Sequence, residues 1–170
     1  NLQERGDELE ALTYLNRTDM AREMEARMVN DIEVLSSLSA DAGEEPSAEV
    51  NRKMRGYMRQ STDSPIYPNE LGYRIRRASA KAFIETSGEP EERIESGMEV
   101  AEMYSDLGVR MLELNMTGTV HQLMRDYNDT VDQVYTNFDL VEDGRAETLE
   151  LIGERISNYT RAIDSNIPPT

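Results

Sequence analysis

At 170 residues and a formal net charge of −16, the chain has the length of one domain and an acidic surface. It contains no cysteine, which excludes disulfides, thiolate catalysis and thiolate metal sites. The negative field opposes binding to nucleic acids and to anionic membranes, and no long apolar run predicts a membrane span. We therefore expect one domain over residues 1–170 that binds no nucleic acid and does not insert directly into a membrane.

Apolar residues recur at helical spacing along the whole chain, and no strand pattern accompanies them. The first strong stripe predicts a helix capped by Asn16 or Thr18. The stripe consists of Met20, Met24, Met28, Ile32, Leu35 and Leu38. A second helix is predicted after the start signal at 44–47. A loop from Thr62 to Pro68 then separates it from the next helix, because Pro65 and Pro68 forbid helix continuation.

Pro90 is well placed in the first turn of a helix that we expect to end at Gly108. The longest pattern follows and predicts one helix from Leu112 to Phe138, with close packing or a bend at Gly118. The last stripe consists of Leu149, Ile152, Ile156, Tyr159 and Ile163. Six or seven helices of unequal length predict an all-α, globin-like fold with an N-terminal helical extension, and an elongated four-helix bundle is the alternative.

The stretch from Tyr67 to Gly108 carries a family resemblance. It contains Tyr-Pro-Asn-Glu-Leu-Gly-Tyr-Arg-Ile-Arg at 67–76, a Pro-to-Gly spacing at 90–97, and Glu-Met-Tyr-Ser-Asp-Leu-Gly at 102–108. In this order the motifs resemble the middle of a phycobiliprotein, a globin-like family that carries light-harvesting bilins. The family attaches its pigment to a cysteine at the position that Tyr67 holds here, so a thioether to a bilin is impossible.

The resemblance implies a site for a noncovalent bilin. Glu70 stands where the family has a carboxylate that accepts hydrogen bonds from the pyrrole N–H groups, and Tyr73 stands for a conserved tyrosine of the motif. With Tyr67, these residues form the predicted site, and Arg74 and Arg77 could pair with the propionates. The alternative for Glu70 is a carboxylate that the helix dipole favours at an N-terminus, and for the arginines it is ordinary surface charge.

The resemblance also implies assembly with a homologous globin-like subunit, as a homo- or hetero-oligomer. Arg76 matches an arginine that locks two subunits through an acidic residue, for which Asp7 of the partner chain is the analogue. The implied function is a subunit of a light-harvesting antenna, pigment-free or holding a bilin. The implied location is the cytoplasm, with association to the thylakoid as a variant.

No motif in the sequence predicts an enzyme. The single histidine, His121, is interpreted as structural, so neither haem nor a metal site is predicted. The alternative function is a haem-free globin-like or helical-bundle sensory domain outside the cytoplasm, and a helical protein of unrelated function from a salt-rich source is the third reading.

Four asparagines begin an Asn-x-Thr tripeptide: Asn16, Asn115, Asn128 and Asn158. Glycosylation at such a tripeptide requires a secreted protein. We interpret these residues as helix caps and surface polar residues instead.

Overall fold

The computed structural model describes residues 2–59 and 70–167, and within these ranges it contains seven helices and no strand. The helices are α1 (Leu2–Tyr14), α2 (Thr18–Ala42), α3 (Glu44–Met58), α4 (Glu70–Glu85), α5 (Pro90–Glu113), α6 (Thr117–Phe138) and α7 (Arg145–Asp164). The predicted all-α class with six to seven helices is thereby confirmed.

The helices group into two compact units, residues 1–86 and residues 87–170. Unit 1 holds α1 to α4, in which α2 packs against α1, α3 and α4, and α3 packs against α4. Unit 2 holds α5 to α7, and each of its helices contacts the other two. The single domain over 1–170 and its globin-like packing stay predictions.

In unit 1, polar contacts give the direction of α2 relative to α4. Arg74 Nη1 lies 3.7 Å from Glu25 Oε2, and Ser36 Oγ donates to Glu85 Oε2 at 3.2 Å. Positions along both helices therefore increase together, so α2 and α4 run parallel. The short turn between α1 and α2 and the ion pair of Arg5 with Asp31 make those two helices antiparallel.

The helices α3 and α4 run antiparallel in a defined register. Asn51 Nδ2 donates to the carbonyl oxygen of Phe83 at 2.8 Å, and Ser47 Oγ donates to the carbonyl oxygen of Thr86 at 3.2 Å. Moving toward the N-terminus of α3 therefore corresponds to moving toward the C-terminus of α4. Unit 1 is therefore an up-down-up-down arrangement, in which the α1–α2 turn and the C-terminal end of α3 lie at the same end.

The buried face of α2 differs from the predicted apolar stripe. Met28 and Ile32 are buried as expected, but Met20 is 53% exposed and Leu38 is 60% exposed. The buried residues of α2 are Ala21, Glu25, Met28, Ile32, Ser36 and Ser39. The predicted buried face was wrong at both ends of α2. The prediction followed hydrophobicity alone, whereas the buried face includes small and polar residues. The predicted caps were also wrong, since Arg17 is the N-cap residue of α2 and makes no side-chain cap bond.

In unit 2, α5 lies antiparallel to α6 and parallel to α7. The direction of α7 follows from Ser105 Oγ, which donates to the carbonyl oxygen of Tyr159 at 3.1 Å, and from Arg155 Nη1, which lies 3.1 Å from Glu95 Oε2. The apolar core cluster consists of Ile94, Met98, Val134, Phe138, Val141 and Ile152. An up-down-up bundle of three helices results.

Gly108 does not end a helix, contrary to the prediction. It lies inside α5, and a Cβ built on it would lie 3.1 Å from Leu123 Cδ2. The glycine therefore serves close packing between α5 and α6, because a larger side chain would press on Leu123. Its helix continues to Glu113.

The helix predicted from Leu112 to Phe138 is broken by a turn at 114–116. Asn115 has a φ of 60°, in the left-handed region that asparagine tolerates better than most residues. Gly118 lies in the first turn of α6, and no atom lies within 4 Å of a Cβ built there, so the close packing predicted for it is not found. The apolar spacing of three and four residues continues across this turn. The sequence pattern therefore predicted one uninterrupted helix.

Asp106 on α5 predicts a pH dependence of stability. The residue keeps an exposed surface, but partial burial of its carboxyl raises its pKa. The folded chain therefore binds this proton more tightly than the unfolded chain, so stability falls as pH rises from the ordinary aspartate range through the raised pKa. We expect Asp106→Asn to raise the melting temperature at pH 7 and to leave it unchanged at a pH below the ordinary range. Thermal unfolding by circular dichroism at both pH values measures this, and an equal rise for the exposed Asp129→Asn on α6 would contradict it.

Candidate functional site

The positive charge of this acidic chain is concentrated in one segment. Residues 52–81 contain eight of the 18 lysines and arginines but only two of the 34 acidic residues. The cations are Arg52, Lys53, Arg55, Arg59, Arg74, Arg76, Arg77 and Lys81. They belong to the C-terminal half of α3, to its C-cap residue Arg59 and to α4.

The α3–α4 register brings four of these arginines to one end of the helix pair. Continuing the register from the two hydrogen bonds places Arg59 level with Arg74, and Arg55 level with Ala78. Arg77 follows Arg74 by three residues and shares its exposed face of α4. We call Arg55, Arg59, Arg74 and Arg77 the arginine-rich end. All four residues are exposed.

Helix electrostatics accounts for only part of this cluster. Arg55 and Arg59 lie at the C-terminus of α3, where the helix dipole favours cations. Arg74 and Arg77 lie in the second and third turns of α4, beyond the reach of that dipole. The helix dipole therefore does not explain Arg74 and Arg77, which lie beside the other two arginines.

Arg74 also contacts a buried carboxylate. Glu25 on α2 is 3% exposed, whereas the side chain of Arg74 is 56% exposed. The arginine therefore reaches from the surface toward the interior of unit 1. This contact fixes one guanidinium of the arginine-rich end against the scaffold, because its partner lies on a packed helix face.

The predicted bilin-site residues have different positions. Tyr67 lies outside the described residues, and Glu70 is the first residue of α4, with a side chain that also lies outside them. Tyr73 is buried at 3% exposure, and Arg74 and Arg77 are exposed. The structure thus brings Arg74 and Arg77 together, and sequence reasoning missed their neighbours on α3. The charge run at 52–59 was the signal that could have found them.

The predicted interface residues lie on different helices of unit 1. Asp7 is exposed on α1. The pKa of Tyr57 on α3 is raised mainly by burial of its hydroxyl, and the negative charge of Asp7 raises it further. Arg76 is 2% exposed, so a partner's carboxylate would reach it only if the chain opened. Their role in an interface stays a prediction.

Other chemical groups are dispersed in the described ranges. No set of three or more His, Asp or Glu side chains there is arranged to hold a metal ion, and His121 is exposed. No helix in these ranges is long and apolar enough to cross a membrane. Four guanidinium groups at one end of α3–α4 can bind carboxylates or other planar anions through paired N–H donors.

The chain matches no family model, no curated protein and no solved structure. The resemblance to phycobiliproteins therefore stays a prediction from the sequence motifs.

Proposed function

We propose that the protein is a non-enzymatic helical binding module whose arginine-rich end holds a carboxylate-bearing ligand or partner. The observation that carries this proposal is the meeting of four exposed arginines from α3 and α4 in a chain of net charge −16. Arginine suits the role because its planar guanidinium binds a carboxylate through two parallel hydrogen bonds.

The overall charge restricts what this end can bind. An extended anion that also lay along the acidic parts of the chain would be repelled, since potentials of the whole surface act on it. A compact ligand, or a narrow acidic segment of a partner, meets the arginines while avoiding that field. The proposal therefore favours a small polycarboxylate or a short acidic peptide segment over a long polyanion.

A linear tetrapyrrole is the ligand that the family resemblance puts forward. Its two propionates could pair with Arg74 and Arg77, and its attachment would be noncovalent because the chain has no cysteine. In that form the protein is a subunit of a light-harvesting antenna, assembled with a homologous subunit. If the protein binds a bilin, we expect the visible absorption band of biliverdin to change when the protein is added. An unchanged biliverdin band at millimolar protein would contradict bilin binding.

A sensory domain is the second setting for the same site. The described helices form two bundles, and bundles of this kind can transmit the binding of a small carboxylate to neighbouring segments of a signalling protein. Both settings share the arginine-rich end and differ in the ligand.

The binding proposal is tested by fluorescence anisotropy of a labelled hexaglutamate peptide. We expect Arg59→Gln with Arg77→Gln to weaken binding about 5- to 30-fold, since each exposed charge pair contributes about 0.5–1 kcal/mol. Both residues are exposed, so the fold should persist. Arg161→Gln on α7 is the matched control, with an exposed arginine in unit 2, and should leave the affinity unchanged. Equal weakening by the control, or none by the double variant, would overturn the proposal.

A further inference from the structure

Asn-x-Thr tripeptides are over-represented in this chain. Four of its ten asparagines begin one, whereas its eleven threonines among 170 residues predict fewer than one. The four are Asn16, Asn115, Asn128 and Asn158, and all four are exposed. The tripeptide is the acceptor sequence for N-linked glycosylation.

The side chains of these asparagines differ in their hydrogen bonding from those of three other asparagines. Asn51, Asn137 and Asn166 each donate a side-chain hydrogen bond of 2.8 Å to a backbone carbonyl. The four acceptor asparagines make no side-chain hydrogen bond within residues 2–59 and 70–167. None of the four is an N-cap residue, since the N-cap residues of α2 and α6 are Arg17 and Met116. Asn16 and Asn115 instead close the C-terminal ends of α1 and α5: each has a positive φ, and the next residue donates its backbone N–H to a carbonyl oxygen of the last helical turn.

Two of the four tripeptides lie within helices, and their threonines have a structural role. Thr130 is 6% exposed and donates to the carbonyl oxygen of Asp126 at 2.8 Å. Thr160 Oγ1 lies 3.0 Å from the hydroxyl of Tyr127. Packing and hydrogen bonding explain these two threonines without a modification.

The threonine of the tripeptide at Asn16 has no such explanation. Asn16 itself lies in the turn between α1 and α2 with a φ of 54°, where it closes the end of α1, and its side chain is exposed. Thr18 is exposed, and its hydroxyl makes no hydrogen bond within the described part of the chain. Both side chains that a glycosylating enzyme reads are therefore accessible.

Three exposed apolar residues lie within four positions of this asparagine in the chain. Tyr14 is 75% exposed, Leu15 is 70% exposed and Met20 is 53% exposed. Tyr14 lies two residues before Asn16, where its ring can pack against the C–H face of a sugar attached to the asparagine.

We propose that Asn16 is an N-glycosylation site and that the first sugar packs on Tyr14. The amide Nδ2 of Asn16 forms a bond to the anomeric carbon of a saccharide carried by a polyprenyl phosphate or pyrophosphate. The bond between that carbon and the phosphate oxygen breaks, the phosphate leaves with the bonding electrons, and the amide gives up one proton. Saccharide donors of this class are membrane-bound, and the transfer takes place on a protein chain that has left the cytoplasm.

The glycan and the arginine-rich end are compatible. Glu25, which contacts Arg74, lies nine residues after Asn16, so the glycan attaches about 13 Å beyond the level of that arginine along the bundle. The sugar covers the α1–α2 turn and leaves the exposed face of α4 open. Glycosylation would place the chain in the extracytoplasmic sensory setting and not in the antenna.

Peptide mass spectrometry of protein from its native source tests the proposal. We expect a peptide containing Asn16 to carry at least one sugar residue, and we expect Asn16→Gln and Thr18→Ala each to abolish that mass increment. Thr18→Ser should keep it, because the hydroxyl remains. Tyr14→Ala should lower the modified fraction several-fold without abolishing it. Asn30→Gln on α2 is the control, an exposed asparagine outside any such tripeptide. An unmodified Asn16 peptide in the native protein, or sugar confined to the other three asparagines, would overturn the proposal.

Discussion

Replacing Gly97 by alanine is expected to destabilise unit 2, although alanine is the better helix former. A Cβ on Gly97 would lie 2.6 Å from Val134 Cγ2, and Val134 is fully buried. Valine is stiff at χ1, so its methyl group cannot turn away without moving α5 from α6. Overpacking of this kind costs about 1–3 kcal/mol, which exceeds the propensity gain of up to about 1 kcal/mol. Urea unfolding followed by circular dichroism measures the change.

Gly153 on α7 provides the matched control. It is exposed, and no atom lies within 4 Å of a Cβ built there. Gly153→Ala should therefore stabilise the protein by about 0.5–1 kcal/mol through helix propensity alone. In the double variant Gly97→Ala with Val134→Ala, the steric conflict is removed, and we expect a favourable coupling of about 1 kcal/mol or more. If Gly97→Ala stabilised the protein as Gly153→Ala does, the close packing of α5 on α6 would be refuted.

The second large effect is expected at the contact between Arg74 and Glu25. Removing the guanidinium by Arg74→Ala takes a cation away from a carboxylate that is 3% exposed, and a buried charge deprived of a partner is costly. Because Arg74 itself is half-exposed, solvent screens the pair, and we expect a loss of about 2 kcal/mol in the free energy of unfolding.

Lys81→Ala is the control for this prediction, since Lys81 is exposed on the same helix and its ion pair with Glu85 is open to solvent. It should change stability by less than about 0.5 kcal/mol. In a background of Glu25→Leu the buried charge is absent, so Arg74→Ala should then cost little. An Arg74→Ala variant as stable as Lys81→Ala would show that Glu25 does not depend on Arg74.

The sequence predicted the helical class because apolar spacing of three and four residues persists along the chain. The sequence-based predictions failed where packing, and not hydrophobicity, decides which residues are buried and where a helix ends. The face of α2 buries Glu25 and two serines, while Leu38 is exposed, and no pattern of apolar residues reveals that choice. Gly108 looked like a helix end, but its role is to let Leu123 approach α5.

The sequence alone indicated two of the four arginines of the candidate site. Arg74 and Arg77 were selected through the family resemblance, whereas Arg55 and Arg59 needed the register between α3 and α4, which depends on contacts of Ser47 and Asn51 with α4. A register between two helices whose facing ends lie more than ten residues apart in the chain is not encoded in local spacing. The same limit applies to Arg76, whose burial no charge pattern indicates.

The central claim is that the arginine-rich end is the binding surface, and nuclear magnetic resonance tests it most directly. Unlabelled hexaglutamate is titrated into the ¹⁵N-labelled protein at low ionic strength, where exposed charge pairs are least screened. The account predicts saturable shifts of backbone amide signals within residues 55–59 and 72–81, and none in α6 or α7. Shifts spread over unit 2, or no shifts at millimolar peptide, would contradict it.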